Sequence, residues 1–158
     1  LDLLLNSISS SSEDFRLNII GRTPASLQCD THESRVIYHG LLDASEISSL
    51  SHVCWLGIAS LALERKKMQE ACPLKTREYL SMGLPVYGGY CEAVRDMPYY
   101  TQGPAEIGAI LDVARRYRSI SKSEIAERAH PSISKELLLT KLYVQLEQAY
   151  SDKTFNLA

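Results

Sequence analysis

The stretch from Glu70 to Gly89, EACPLKTREYLSMGLPVYGG, decides how the chain is read. It reads as one loop, one short helix and one buried strand. Pro73 suits a first helical turn, because the N–H it lacks is one the helix could not use there. Gly83, after Met82, suits the left-handed residue that closes a helix. Leu84-Pro85-Val86-Tyr87 is a short apolar run ended by Gly88-Gly89. Loop, helix N-terminus and strand in this order make an anion site in an α/β protein. The first-turn N–H groups are free, and the helix dipole favours negative charge beside them. Lys75 lies in that turn, where a cation is unfavourable to the dipole unless an anion is bound. Glu78, one turn further on, is placed to accept hydrogen bonds from hydroxyls. Such a set suits a diphosphate and a sugar or ribose. The plain alternative is an exposed Glu78 paired with Lys75.

Working outward, the spacing predicts a helix over Leu1 to Ile8, a loop over Ser9 to Glu13 and a strand over Phe15 to Ile20. Gly21-Arg22-Thr23-Pro24 breaks the strand, and Pro24 to Cys29 is expected as a short helix. Arg35 to Tyr38 is a second strand stopped by His39-Gly40. Asp43 is an N-cap, with Glu46 completing a capping box, for a helix to about Leu50. Val53 to Ser60 is nearly all apolar, as a central parallel strand should be. Leu61 to Glu70 is a charged connection. Past Gly89 an irregular segment leads to a short strand over Pro98 to Thr101. Ala105 to Tyr117 and Ser121 to Ala129 are helical, and Pro131 begins a longer helix whose leucines are available for packing. Short strands alternating with helices predict an α/β fold, a doubly wound parallel sheet. Ligands of such sheets bind beyond the carboxyl ends of the strands, which picks out Gly21-Arg22-Thr23, His39-Gly40-Leu41, Ser60 to Pro73 and Gly88 to Glu92.

The 158 residues fit one domain with a proper core. At 45% hydrophobic and 23% charged, the composition is that of an ordinary globular protein. A formal charge of −2 argues against binding nucleic acid through bulk charge. No apolar stretch is long enough for a transmembrane helix. Cys29, Cys54, Cys72 and Cys91 are scattered without metal-site spacing and read as reduced thiols of a cytoplasmic protein. His32, His39, His52 and His130 are equally scattered, so no metal is expected. Arg65-Lys66-Lys67 is either a solvated loop or a contact to phosphate or to an anionic membrane surface. No G-x-G-x-x-G follows a strand, which disfavours a dinucleotide oxidoreductase.

The sequence resembles the C-terminal, nucleotide-sugar-binding domain of GT-B fold glycosyltransferases, in particular the large retaining family four (glycosyl transferases group 1). LDLLLNSI, LNIIGRTP and RVIYHGLLDASEISSLSHVCWL follow that domain's helix, strand and turn order in a general way. PLKTREYLSMGLPVYGG is the specific match, to the pattern P-x-K-x-x-E-Y-L-A-x-G-x-P-V-V. Glu70 and Glu78 have the family's E-x7-E spacing. The resemblance covers nearly the whole chain, 1–158, and implies a Rossmann-like half of a GT-B fold. The domain's first strand, with its Arg and Lys, and the acceptor-binding N-terminal domain are not in the chain. Where the family commonly has G-F-G after the first glutamate, this chain has Ala71-Cys72-Pro73.

The resemblance implies a role for each site residue. Glu78 binds ribose hydroxyls, and Glu70 lies at the donor sugar as the catalytic candidate. Leu74 and Lys75 offer N–H groups to the diphosphate. Gly40 sits where the base approaches the backbone, and Gly21 borders the same cleft. Glu92 falls where family members often carry an acidic residue. The implied activity is transfer of a sugar from a nucleotide diphosphate sugar to an acceptor glycan, lipid or small molecule, with retention and without a metal cofactor. The fragment alone is expected to be inactive. The implied setting is the cytoplasm, including the inner face of the membrane through peripheral contact. The alternative reading is a non-catalytic nucleotide-binding or assembly domain of the same fold; a related GT-B epimerase is disfavoured by the E-Y-L to G-L-P-V context.

Overall fold

The computed structural model describes residues 1–22 and 34–155. The helix expected over Pro24 to Cys29, and with it Cys29 and His32, lies outside the described residues. The first half of the chain forms α1 (Asp2–Ser9), β1 (Leu17–Ile20), β2 (Val36–Gly40), α2 (Ala44–Val53) and β3 (Gly57–Ile58). A 3-10 turn at Leu63–Lys66 leads to β4 (Glu70–Ala71), α3 (Leu74–Ser81), β5 (Val86–Gly88) and β6 (Cys91–Glu92). The remainder is β7 (Tyr100–Gln102), α4 (Ile107–Tyr117), α5 (Lys122–Ile133) and α6 (Lys135–Phe155).

The fold is mixed α/β, and every strand pairing among the described residues is parallel. The described strands are hydrogen-bonded as three small sheets, β1-β2, β3-β5-β7 and β4-β6, instead of one. The middle sheet aligns Gly57 with Val86 and Val86 with Tyr100. Part of the reason lies at β3. The apolar run from Val53 to Ser60 does not form one long strand, because α2 continues through Val53. Lys122 Nζ donates to the carbonyls of Ser51 (2.7 Å) and Cys54 (2.8 Å) at the end of α2, where Ser51 O also accepts from Cys54 N (3.2 Å). Val53 and Trp55 therefore stay exposed, and the Arg118 guanidinium lies 4.3 Å from the centre of the Trp55 ring. The start of α2 is as expected: Asp43 Oδ1 accepts from Glu46 N (2.9 Å), and Asp43 N donates to Glu46 Oε2 (2.8 Å).

Two hydrophobic cores flank the middle sheet. Leu4, Leu5 and Ile8 of α1 join Ile107, Ile110 and Val113 of α4 and Tyr87 of β5 in one. Leu80 of α3, Ile125 and Ala129 of α5, Val86 of β5 and Tyr90 form the other. Successive strand residues point to opposite faces, so neighbours Val86 and Tyr87 serve different cores. Ile58 and Ala59 divide in the same way.

The C-terminal helices depart from the sequence reading. Pro131 lies inside the last turn of α5, where the N–H it lacks removes a single helical bond, and α6 starts at Lys135. The apolar residues of α6 expected to pack, among them Leu137, Leu138, Leu142, Val144, Leu146 and Tyr150, are exposed.

Gly89 brings two loops into contact at the carboxyl ends of β3 and β5. Its N–H donates to Ser60 O (2.8 Å), and a Cβ there would sit 2.6 Å from Leu61 O and 2.9 Å from Leu61 Cα. Gly89→Ala is expected to cost about 1–3 kcal/mol in urea unfolding, because backbone cannot move aside as a side-chain tip can. The buried tyrosines predict the alkaline limb of stability. Burial pushes the Tyr79, Tyr87, Tyr90 and Tyr100 phenols above the ordinary 10.0. The unfolded chain then releases these protons before the folded one does. Their stabilisation is complete below pH 10 and is lost as pH rises past it. Lys122, pushed below 10.5 by burial, acts the opposite way just below that pH, one group against four. The urea midpoint should fall as pH rises past about 10, and fall less in Tyr100→Phe.

Candidate functional site

The stretch from Glu70 to Gly89 folds as loop, helix and strand, with one shift. Pro73 is extended (φ −75°, ψ 141°) and serves as the N-cap, so α3 begins at Leu74. Proline offers no side-chain acceptor, and its carbonyl does the work instead, accepting from Thr76 N (3.2 Å) and Arg77 Nη1 (3.1 Å). At the other end Gly83 takes φ +72°. Its N–H donates to Leu80 O (3.0 Å) and the Leu84 N–H to Tyr79 O (2.9 Å), the paired bonds of a Schellman closure. The closure turns the chain straight into β5. α3 therefore runs against the strand direction, and its N-terminus stands at the carboxyl ends of β3 and β5.

The inward face of α3 is tightly held. Thr76 and Leu80 are both 0% exposed. Thr76 Oγ1 shares a 2.6 Å hydrogen bond with the Tyr90 hydroxyl, and the Tyr100 hydroxyl donates to Tyr90 O (2.6 Å). The outward face carries the expected site residues. Leu74 is 75% exposed, and Lys75 and Glu78 are exposed beside it. Among the described residues neither Lys75 nor Glu78 forms an ion pair, so the plain alternative of a Lys75–Glu78 bridge is not what the structure holds. The Leu74 and Lys75 N–H groups have no intrahelical acceptor.

Glu70 opens β4, opposite Cys91 of β6, and is also exposed. This small pair is tied by Cys91 N to Gln69 O (2.9 Å) and Ala93 N to Ala71 O (3.0 Å). The sequence reading has a charged connection and an irregular segment here, since strands of two residues carry no periodicity. The pair sets Glu70 a fixed, short distance along the chain from the start of α3. Gly21 and Gly40 form a second group. Gly21 N donates to Gly40 O (2.6 Å), and their φ values are +110° and +70°. A Cβ on either would meet nothing within 4 Å, so the left-handed backbone, and not crowding, explains the glycines. The register of β1-β2 slips beside them, pairing Ile19 with Tyr38 but Ile20 with Gly40. His39, the residue stepped over, shares a 2.9 Å hydrogen bond with Asn18 Oδ1. Both groups sit at carboxyl ends of strands, but no hydrogen bond or ion pair among the described residues joins them.

Two residues acquire a role that the sequence reading does not assign. Glu92 has a side chain only 3% exposed, and Arg77, at 14%, donates to its Oε1 at 3.0 Å. Glu92 thus faces inward and is not available at the surface. Only its acidic type at that position hinted at importance; Arg77 left no signal, because a helical arginine is usually solvated. In the basic run, Arg65 is occupied by Asp2 (2.9 Å), while Lys66 and Lys67 are exposed. Among the described residues no three His, Cys, Asp or Glu side chains converge to hold a metal ion, and no helix is long and apolar enough to cross a membrane. Cavities of about 70 and 320 Å³, the first at Cys54 and Trp55 and the second at Ser51 and Ser81, lie at the opposite, amino-terminal edge of the strands. At the α3 N-terminus Leu74, Lys75 and Glu78 are exposed, and chemistry and placement single it out.

Exposed and unpaired side chains contribute little to the folded state. Lys75→Ala and Glu78→Ala should each change the urea-unfolding free energy by under about 0.5 kcal/mol. Compared with protein-family models, curated proteins and solved structures, the chain matches none.

Proposed function

We propose that the chain is the donor-binding domain of a GT-B glycosyltransferase, with a Rossmann-like doubly wound architecture. The observation that carries this reading is the state of α3: Leu74, Lys75 and Glu78 face solvent unpaired at a helix N-terminus on the carboxyl edge of parallel strands. A cation in a first helical turn opposes the dipole, and a diphosphate beside it reverses that cost. In this reading the Leu74 and Lys75 N–H groups and the Lys75 ammonium hold the diphosphate. Glu78 accepts from the ribose hydroxyls, and Glu70 lies at the sugar. Gly21 and Gly40 leave backbone open beside the base. Transfer requires that charge developing on the leaving diphosphate be stabilised, and oriented N–H groups with a basic side chain do this. The acceptor is held by another domain facing the open surface, and transfer proceeds with retention. The setting is the cytoplasm, with Lys66 and Lys67 free to meet an anionic membrane surface.

The test is calorimetric titration of the folded full-length protein with UDP, GDP and ADP. One nucleotide should bind, and Glu78→Ala should weaken it about ten- to a hundredfold, the worth of hydrogen bonds to a charged group. A folded protein that binds none of the three overturns the reading. Binding without any sugar transfer moves it to a non-catalytic nucleotide-binding domain of the same fold.

A further inference from the structure

We infer that Arg77 and Glu92 are positioning residues that aim the first turn of α3 at its ligand; the inference rests on the donor-site reading above. The first turn has no side-chain cap, because its N-cap is Pro73. Arg77 supplies the missing constraint from within the helix. Its Nη1 donates back to Pro73 O at 3.1 Å, while its Nη2 donates to Glu92 Oε1 at 3.0 Å. Nη1 also lies 3.5 Å from Glu92 Oε2, so the guanidinium meets the carboxylate along its edge. Glu92 Oε1 in turn receives the Val94 N–H at 3.5 Å. One planar group therefore joins three pieces of chain: the N-cap of α3, the body of α3 and the strand β6.

The consequence reaches both halves of the candidate site. β6 pairs with β4, placing Ala71 opposite Glu92 and Glu70 opposite Cys91. β4 runs through Cys72 into Pro73, so the link closes a ring: Glu70 to Pro73 along the chain, Pro73 to Arg77 and Glu92 through side chains, and Glu92 back to β4 through strand pairing. Glu70 on one side of the ring and the Leu74 and Lys75 N–H groups on the other are held in fixed relation. Glu92 is buried, and the part-buried Arg77 guanidinium is already engaged by Pro73 O and Glu92. A buried carboxylate and guanidinium matched along their edges make a directional link, which an apolar contact does not.

The test uses the double variant Arg77→Leu/Glu92→Leu, which removes the link without stranding a buried charge, and Arg77→Lys as the conservative variant. Native-state hydrogen exchange is read at Thr76, Cys91 and Ala93, whose N–H groups bond Pro73, Gln69 and Ala71 within the ring. The double variant should fold and exchange at these three amides about tenfold faster than wild type, with Leu80 and Val86 unchanged. The Kd for whichever of UDP, GDP or ADP the wild type binds should rise about ten- to a hundredfold, as when binding groups are misplaced by about an ångström. Arg77→Lys, which keeps the charge but cannot reach both partners at once, should fall between. A folded double variant with wild-type exchange at Thr76, Cys91 and Ala93 overturns the inference, as does faster exchange with unchanged nucleotide affinity. If the wild type binds none of the three nucleotides, the donor-site reading fails, and the claim that the pair aims a ligand site fails with it. The exchange result then still reports whether the ring is a mechanical unit.

Discussion

The structure depends on β5 being buried from both sides. Val86 is 0% exposed and Tyr87 1%, yet they are sequence neighbours and serve separate cores. Burial of large apolar side chains contributes about 1.5–3 kcal/mol each, so a strand that feeds two cores is held far more firmly than its three residues suggest. Tyr87 completes the arrangement by donating its hydroxyl to Pro104 O at 2.9 Å, which leaves no unsatisfied polar atom on that side chain. Gly103 is required beside it, because a Cβ there would collide with the Tyr87 hydroxyl. The strands on either side, β3 and β7, take their register from β5.

A strand held this way fixes the helix before it. Only four residues, Met82 to Pro85, separate α3 from β5, and the closing bonds at Gly83 and Leu84 leave little freedom in that turn. The direction of α3 is then set by packing, through Leu80 and Thr76 on its buried face. Its N-terminus is carried to the carboxyl edge of the strands as a result. Rigid elements thus present the exposed groups Leu74, Lys75 and Glu78, while the loop before them is restrained by its pairing with β6. A helix buried on one side leaves its first-turn N–H groups without intrahelical acceptors on the other, which is what the proposed anion site relies on.

Buried charge pairs rarely add net stability over an apolar contact of the same shape, because both ions lose water. Arg77 and Glu92 are therefore better understood through direction than through strength. The Lys122 ammonium shows the same principle at the opposite edge of the strands. It is partly buried, and its bonds to Ser51 O and Cys54 O end α2 at a definite residue. In both places a long basic side chain ties the end of a helix to a segment distant along the chain.

Much of this was legible in the sequence because it is local. Gly83 had to close a helix, since few other residues accept a positive φ there. Asp43 with Glu46 announced the start of α2, and the alternation of short apolar runs with helical periods announced parallel α/β structure. The first turn of α3, with Lys75 and Glu78, could be marked as a candidate in advance because helix polarity follows from chain order, whereas Glu70 was marked only through the E-x7-E resemblance. Tertiary contacts decided the rest. The end of α2 at Val53 depends on Lys122, about seventy residues away along the chain, and so no reading of the Val53 to Ser60 run could find it. The pairing of β4 with β6 is two residues deep, too short for any pattern. Arg77 and Glu92 look like ordinary solvated charges until folding removes water from both. Which charges are buried together is a property of packing between distant segments, and that is written in no single stretch of the chain.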